Sequence, residues 1–172
     1  MKRTYKEFSQ GKDIIRKRYL NNDELEQTFN IIKHNMINLG FIVSNKDKAS
    51  WCDNIKSSLA NSNFYFYLVY LNSEIVAFFE VFNEKDTYII SEVQLADKVK
   101  RTKIILEIIK YLLNCNELSN VDEVYFSILK NNDISNKTFS HLGGKIVSEN
   151  ERKFKYVIKR DFVNSFISKF NI

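Results

Sequence analysis

The chain has 172 residues, 44% of them hydrophobic, enough for one compact core and too few for two comfortable ones. Its 9 Tyr and 14 Phe stand against 4 Gly and no Pro, a balance that excludes disordered, collagen-like and proline-rich classes. A net charge of +5 favours the approach of anionic ligands without identifying one.

No apolar run approaches the ~20 residues that span a bilayer, and polar residues follow Met1-Lys2-Arg3. The expectation is a soluble, cytoplasmic chain with no membrane partner. Cys52 and Cys115 lie far apart and belong to no CxxC or Cys/His cluster, so they read as packing thiols. Neither a disulfide framework nor a metal site is expected.

Lys12 to Leu20 reads as a first strand. Asn21-Asn22-Asp23 then offers helix caps, and Glu24 stands three residues after Asn21, the spacing of a capping box. Leu25, Phe29, Ile32, Met36 and Leu39 share one helical face, and Gly40 is placed to end the helix in a left-handed conformation. Trp51, Ile55 and Leu59 repeat every four residues and mark a second, shorter helix.

From Phe64 the texture becomes aromatic and β-branched, giving strands over Phe64 to Leu71, Ile75 to Phe82 and Thr87 to Leu95. The short polar breaks at Asn72-Ser73 and at 83–86 predict two successive antiparallel hairpins. The run Phe64, Tyr65, Phe66, Tyr67 and Tyr70, like the pair Phe78-Phe79, reads as sheet core in preference to a platform for stacking bases. Ile104, Ile105, Ile108, Ile109, Leu112 and Leu113 then form an apolar stripe that predicts a helix of about four turns.

Val124 to Leu129 is the next strand. Asn131-Asn132-Asp133 caps a short helix carrying Ile134, Phe139 and Leu142, which Gly143-Gly144 ends. Lys145 to Val147 is a brief strand, and Lys153 to Lys159 alternates lysine with Phe154, Tyr156 and Ile158 in a half-buried pattern. Residues 161–172 place Phe162, Phe166, Ile167 and Phe170 along one side of a last helix. No linker, repeat or low-complexity segment divides the chain, so a single domain over 1–172 is expected, with its core over 12–160.

In this order of elements the sequence resembles the GNAT superfamily of acyl-CoA-dependent N-acetyltransferases. The resemblance covers about Lys12 to Arg160. Ile90-Ser91-Glu92-Val93-Gln94-Leu95 is similar to the family's fourth strand, which often carries an acidic residue shortly before its end. The stretch from Asn132 to Gly144 is similar to the fourth helix, where an Asn is followed seven residues later by an aromatic and then by Leu-Gly. Counting from Leu95 sets the phosphate motif, (Gln/Arg)-x-x-Gly-x-(Gly/Ala) in the family, on Lys100, Lys103 and Ile105, with both small residues replaced.

The resemblance implies an α/β (α+β) fold, with a mixed, mostly antiparallel sheet of about seven strands and helices on both faces. It implies acetyl-CoA as co-substrate, with no metal, and a primary amine of a small molecule or protein as acceptor. Glu92 is then the general base, and the cofactor-binding set is Val93, Leu95, Lys100, Arg101, Thr102, Lys103, Ile104, Ile105, Asn132 and Phe139. Main-chain N–H groups near Val93 to Leu95 would serve the oxyanion, where the family's fourth strand splays from its neighbour.

Lys98, Lys100, Arg101 and Lys103 crowd the predicted start of the third helix, where cations oppose the macrodipole unless a polyanion binds. Phe139 stands where the family commonly has a tyrosine acid and cannot donate a proton. Two other readings follow from the same residues: a GNAT-fold module that binds CoA or a protein without turnover, and, more weakly, nucleic-acid binding through Lys98 to Lys103 and Lys153 to Arg160. With 2 His and no linked Ser or Cys, His34 and His141 suggest no nucleophilic triad. Monomer and homodimer both remain open.

Overall fold

The computed structural model of the protein describes residues 12–84, 87–100, 104–114, 122–162 and 164–165. The elements run β1 (Lys12–Lys17), α1 (Asn22–Asn38), α2 (Asn45–Leu59), β2 (Phe64–Leu71), β3 (Glu74–Glu84) and β4 (Thr87–Leu95), then a 3-10 turn at Asp97–Val99. There follow α3 (Ile104–Asn114), β5 (Glu123–Leu129), α4 (Asp133–His141), β6 (Lys145–Glu149) and β7 (Lys153–Lys159). One seven-stranded sheet has the order β1-β2-β3-β4-β5-β7-β6. The pair β4 and β5 is parallel, whereas β1 with β2, β2 with β3, β5 with β7 and β6 with β7 are antiparallel.

Two compact units make up the fold: Met1–Phe82 with Glu92–Lys100, and Asn83–Ser91 with Arg101–Ile172. β4 therefore begins in the second unit and ends in the first.

In the first unit, α1 starts on the capping box expected from the sequence, with Glu24 N–H donating to Asn21 Oδ1 at 2.9 Å and Asn21 N–H to Glu24 Oε2 at 3.0 Å. Gly40, at φ +86°, lets the chain turn so that Gly40 N–H reaches Ile37 O and Phe41 N–H reaches Met36 O, closing the helix in a Schellman motif. The β2–β3 hairpin turns on Asn72 and Ser73, both with positive φ, as the two-residue loop that suits the right-handed strand twist requires. Phe66 and Phe78 stack at 5.3 Å in a cluster with Leu20, Leu25, Ile55, Phe64, Leu68 and Ile75, and Trp51 of α2 covers Phe78 at 6.2 Å. The aromatic run is core, as predicted: Phe66, Tyr67, Phe78 and Phe79 are wholly inaccessible.

In the second unit, β4 pairs with β5 through Ile89 with Tyr125 and Ile90 with Phe126. Phe139 of α4 lies on Phe126 at 4.4 Å and on Tyr156 at 6.2 Å, so one face of β5 and β7 is covered by α4. Gly143, at φ +76°, ends α4 in a second Schellman motif, with Gly143 N–H on Ser140 O and Gly144 N–H on Phe139 O.

Some bounds differ from expectation. β1 stops at Lys17, three residues before Leu20, although Leu20 is buried in the core. β6 runs on to Glu149 because its pairing with β7 shifts register between Ile146 and Ser148, which absorbs an extra residue. The described part of α3 is 11 residues long, and residues 101–103 and 115–121 on either side of it lie outside the described ones. Helical turn is present at Arg160–Phe162 and at 164–165, and the rest of the expected tail helix lies outside the described residues. Among the described residues no helix is long and apolar enough to cross a membrane.

Candidate functional site

The residues singled out by sequence divide between the two units, with Glu92, Val93, Leu95 and Lys100 in the first and Ile104, Ile105, Asn132 and Phe139 in the second. Arg101, Thr102 and Lys103 lie outside the described residues.

In the first unit, strand alternation puts Glu92 and Gln94 on the same face of β4, and both are half-buried. The Gln94 side-chain amide donates to Glu92 Oε1. On the other side of Gln94 stands Asn35 of α1, whose Nδ2 donates to Gln94 Oε1 at 2.6 Å and to the main-chain oxygen of Leu95 at 3.1 Å. Lys100 Nζ in turn donates to Asn35 Oδ1 at 2.6 Å and to Asp97 Oδ1 at 2.5 Å. The other Asp97 oxygen meets His34 Nε2, which must carry the proton because an ionised carboxylate only accepts. Six side chains, from Glu92 to His34, are thus joined by consecutive polar contacts.

The electrostatics of this line have identifiable causes. The Lys100 ammonium holds the Asp97 carboxyl below its ordinary range against the opposing effect of burial, and His34 adds to the lowering. Lys98 forms its own ion pair with Glu74 of β3. Two of the four cations that the sequence crowds before α3 therefore already face carboxylates.

The second unit supplies different surroundings. Ile104 is buried and Ile105 half-buried at the described start of α3. Asn132 spends its side-chain oxygen as the N-cap of α4, accepting from Ser135 N–H at 3.1 Å. Phe139 is buried in the aromatic contacts described above, with 6% of its surface exposed. The basic strand β7 is partly compensated: Lys159 pairs with Glu123 at 3.0 Å, and Lys155 lies over the Tyr125 ring at 4.9 Å. His141 is exposed, its ring against Lys137 O.

Asn35, Gln94, Asp97 and His34 were not singled out by sequence for Glu92. A signal existed for Asn35: it is three residues after Ile32 and four before Leu39, a polar residue within the apolar stripe of α1. Gln94 was readable too, two residues after Glu92 on a strand. That the two meet, 59 positions apart in the chain, depends on how α1 lies on β4 and could not be read.

The sequence matches no protein-family model and no curated protein. The structure is similar to many solved ones. The Campylobacter jejuni N-acetyltransferase PseH in complex with acetyl coenzyme A superposes with a TM-score of 0.64 at 18% identity, over 87% of this chain and 99% of that one. A GNAT-family acetyltransferase from Staphylococcus aureus Mu50 gives 0.68 at 14% identity, over 86% and 98%. The chain has the GNAT fold. PaiA N-acetyltransferase from Thermoplasma acidophilum, in complex with coenzyme A, gives 0.63 at 16% identity over 86% of this chain and 99% of that one. The mixed, mostly antiparallel seven-stranded sheet that the resemblance implied is thereby shown, and each of these three neighbours is spanned over nearly its full length.

Proposed function

We propose that the protein is an acyl-CoA-dependent N-acetyltransferase that moves an acetyl group from acetyl-CoA to a primary amine of a small molecule or protein by direct attack in a ternary complex. The observation that carries this reading is the GNAT sheet, shared with solved acetyltransferases of which one holds acetyl-CoA and another CoA. A carboxylate held by a donated hydrogen bond near the end of β4 supports it.

Glu92 takes the proton of the attacking amine, directly or through one water, so that a neutral nitrogen meets the thioester carbon. The C–N bond forms as the C–S bond breaks. Main-chain N–H groups near Val93 to Leu95 stabilise the oxyanion. Lys100, Arg101, Thr102, Lys103, Ile104 and Ile105 form the phosphate-binding segment, with cations standing in for the missing glycines, and Asn132 and Phe139 complete the contacts to the co-substrate. Phe139 has no proton to give, so the thiolate leaves unassisted and is protonated by solvent.

Calorimetry with acetyl-CoA at millimolar ligand tests the first requirement. Heat of binding, followed by mass-spectrometric detection of an acetylated amine, is expected; no heat and no thermal shift would remove the enzyme reading. A second reading has its own observation: Phe139, in the position of the usual acid, is buried against Phe126 and Tyr156. A GNAT-fold module without turnover would bind CoA yet acetylate nothing across a broad amine panel.

A further inference from the structure

The line of contacts from Lys100 to Glu92 has a direction that its end groups impose. An ammonium can only donate, and a carboxylate can only accept. Lys100 therefore requires that Asn35 present its oxygen, which turns the Asn35 NH2 toward Gln94. Gln94 must answer with its oxygen, which turns its own NH2 toward Glu92. The second Asn35 hydrogen is held by Leu95 O at 3.1 Å, so all three polar positions that Asn35 uses agree on one orientation.

We infer that Lys100 and Asn35 are positioning residues for Glu92: the cation at one end of two aligned amides fixes a hydrogen-bond donor on the carboxylate at the other. Their part is to keep Glu92 ionised and aimed, because a bond donated to the charged form favours that form. Without the ammonium, only Leu95 O and the Glu92 carboxylate itself still favour this orientation, so the Gln94 donor is held on the carboxylate less firmly. This inference rests on the reading of Glu92 as the base for its catalytic meaning, although the orientation itself does not depend on catalysis. The other carboxylates, lysines and histidine of these elements are Asp97, Lys98 and His34 at the Lys100 end, Asp23, Glu24, Glu26 and Lys33 on α1, Glu74, Glu80 and Glu84 on the neighbouring strand β3, and Glu123 on β5.

The test follows the Glu92 carboxyl by carbon-13 NMR titration of the full chain without ligand, in the unaltered protein and in Lys100→Met, Asn35→Leu and Lys100→Arg. Lys100→Met and Asn35→Leu are each expected to raise the midpoint by about one pH unit and to move the Gln94 side-chain amide resonances, whereas Lys100→Arg keeps both near their original values. Asn35→Leu decides between mechanisms, since it breaks the line and leaves every charge in place. A midpoint that rises in Lys100→Met but stays unchanged in Asn35→Leu would mean that only through-space charge acts, and the inference would be overturned. Should Lys100→Met fail to fold, Asn35→Leu against Lys100→Arg makes the same decision. If the unaltered protein acetylates amines, the acid limb of kcat/KM moves with the midpoint; if it acetylates nothing, the function proposed above falls while the titration still decides the orientation.

Discussion

Glu24 shows how a buried carboxylate is kept charged. Burial pushes its pKa up, yet Lys17 Nζ at 2.5 Å, the Asn21 N–H and the Tyr70 hydroxyl at 3.1 Å together outweigh that and hold it below the ordinary carboxylate range. The Tyr70 hydroxyl is pushed above its own ordinary value by burial and then by the same carboxylate. Since the folded pKa is depressed, the stability Glu24 contributes is complete above the unfolded value near 4.5 and is lost as pH falls through the folded value. Glu24→Gln keeps an acceptor for the capping box but leaves Lys17 without its counter-ion, and is expected to cost about 1–2 kcal/mol near neutral pH. Urea midpoints at about pH 7 and about pH 3 should show that difference shrinking in acid; a difference constant with pH would mean the charge is not what matters. At Glu92 the expectation is kinetic. Glu92→Gln should lower kcat by about a hundredfold or more with acetyl-CoA affinity unchanged, measured by single-turnover transfer beside calorimetry, and an unaltered kcat would reassign the proton acceptor.

At the scale of elements, Asn132 distinguishes a cap from a ligand contact. Its oxygen satisfies Ser135 N–H, one of the donors that a helix start leaves open. Asn132→Ala is expected to destabilise by about 1 kcal/mol, read as a lower melting temperature, while Asn132→Asp, which still caps, stays near the unaltered protein. A loss of CoA binding in both variants at unchanged stability would make the co-substrate contact its main role. What the sequence disclosed follows the same division between local and distant. Caps, Schellman glycines and the Asn72-Ser73 hairpin were readable because each is decided within a few residues, and β2 and β4 were placed to the residue because their apolar runs end in polar breaks. The register shift in β6 was not readable, since an extra residue is tolerated only in view of the partner strand. The place of Glu92 on β4 was readable, and that of Gln94 beside it, but their connection to Asn35 and Lys100 was not, because it depends on the packing of α1 on the end of β4.

For the whole molecule, the decisive quantity is differential binding to the folded state. A ligand that binds only the native chain stabilises it by RT ln(1 + [L]/Kd), about 2.7 kcal/mol at a hundredfold excess over Kd. For a chain of this length that corresponds to roughly 5–10 °C in melting temperature. Acetyl-CoA should produce such a shift, and acetyl-pantetheine, which shares the thioester arm but lacks the adenosine phosphates, should produce much less at equal concentration. The contrast follows from the net charge of +5 and the cations at Lys98 and Lys100, which have carboxylate partners to exchange for phosphate oxygens. Because exposed charges are screened within about 10 Å at 0.1 M salt, the difference between the two ligands should narrow as salt is raised. Equal shifts for both ligands, insensitive to salt, would show that the basic segment before α3 holds no phosphate, and acetyl-CoA recognition would then have to come from the thioester arm alone.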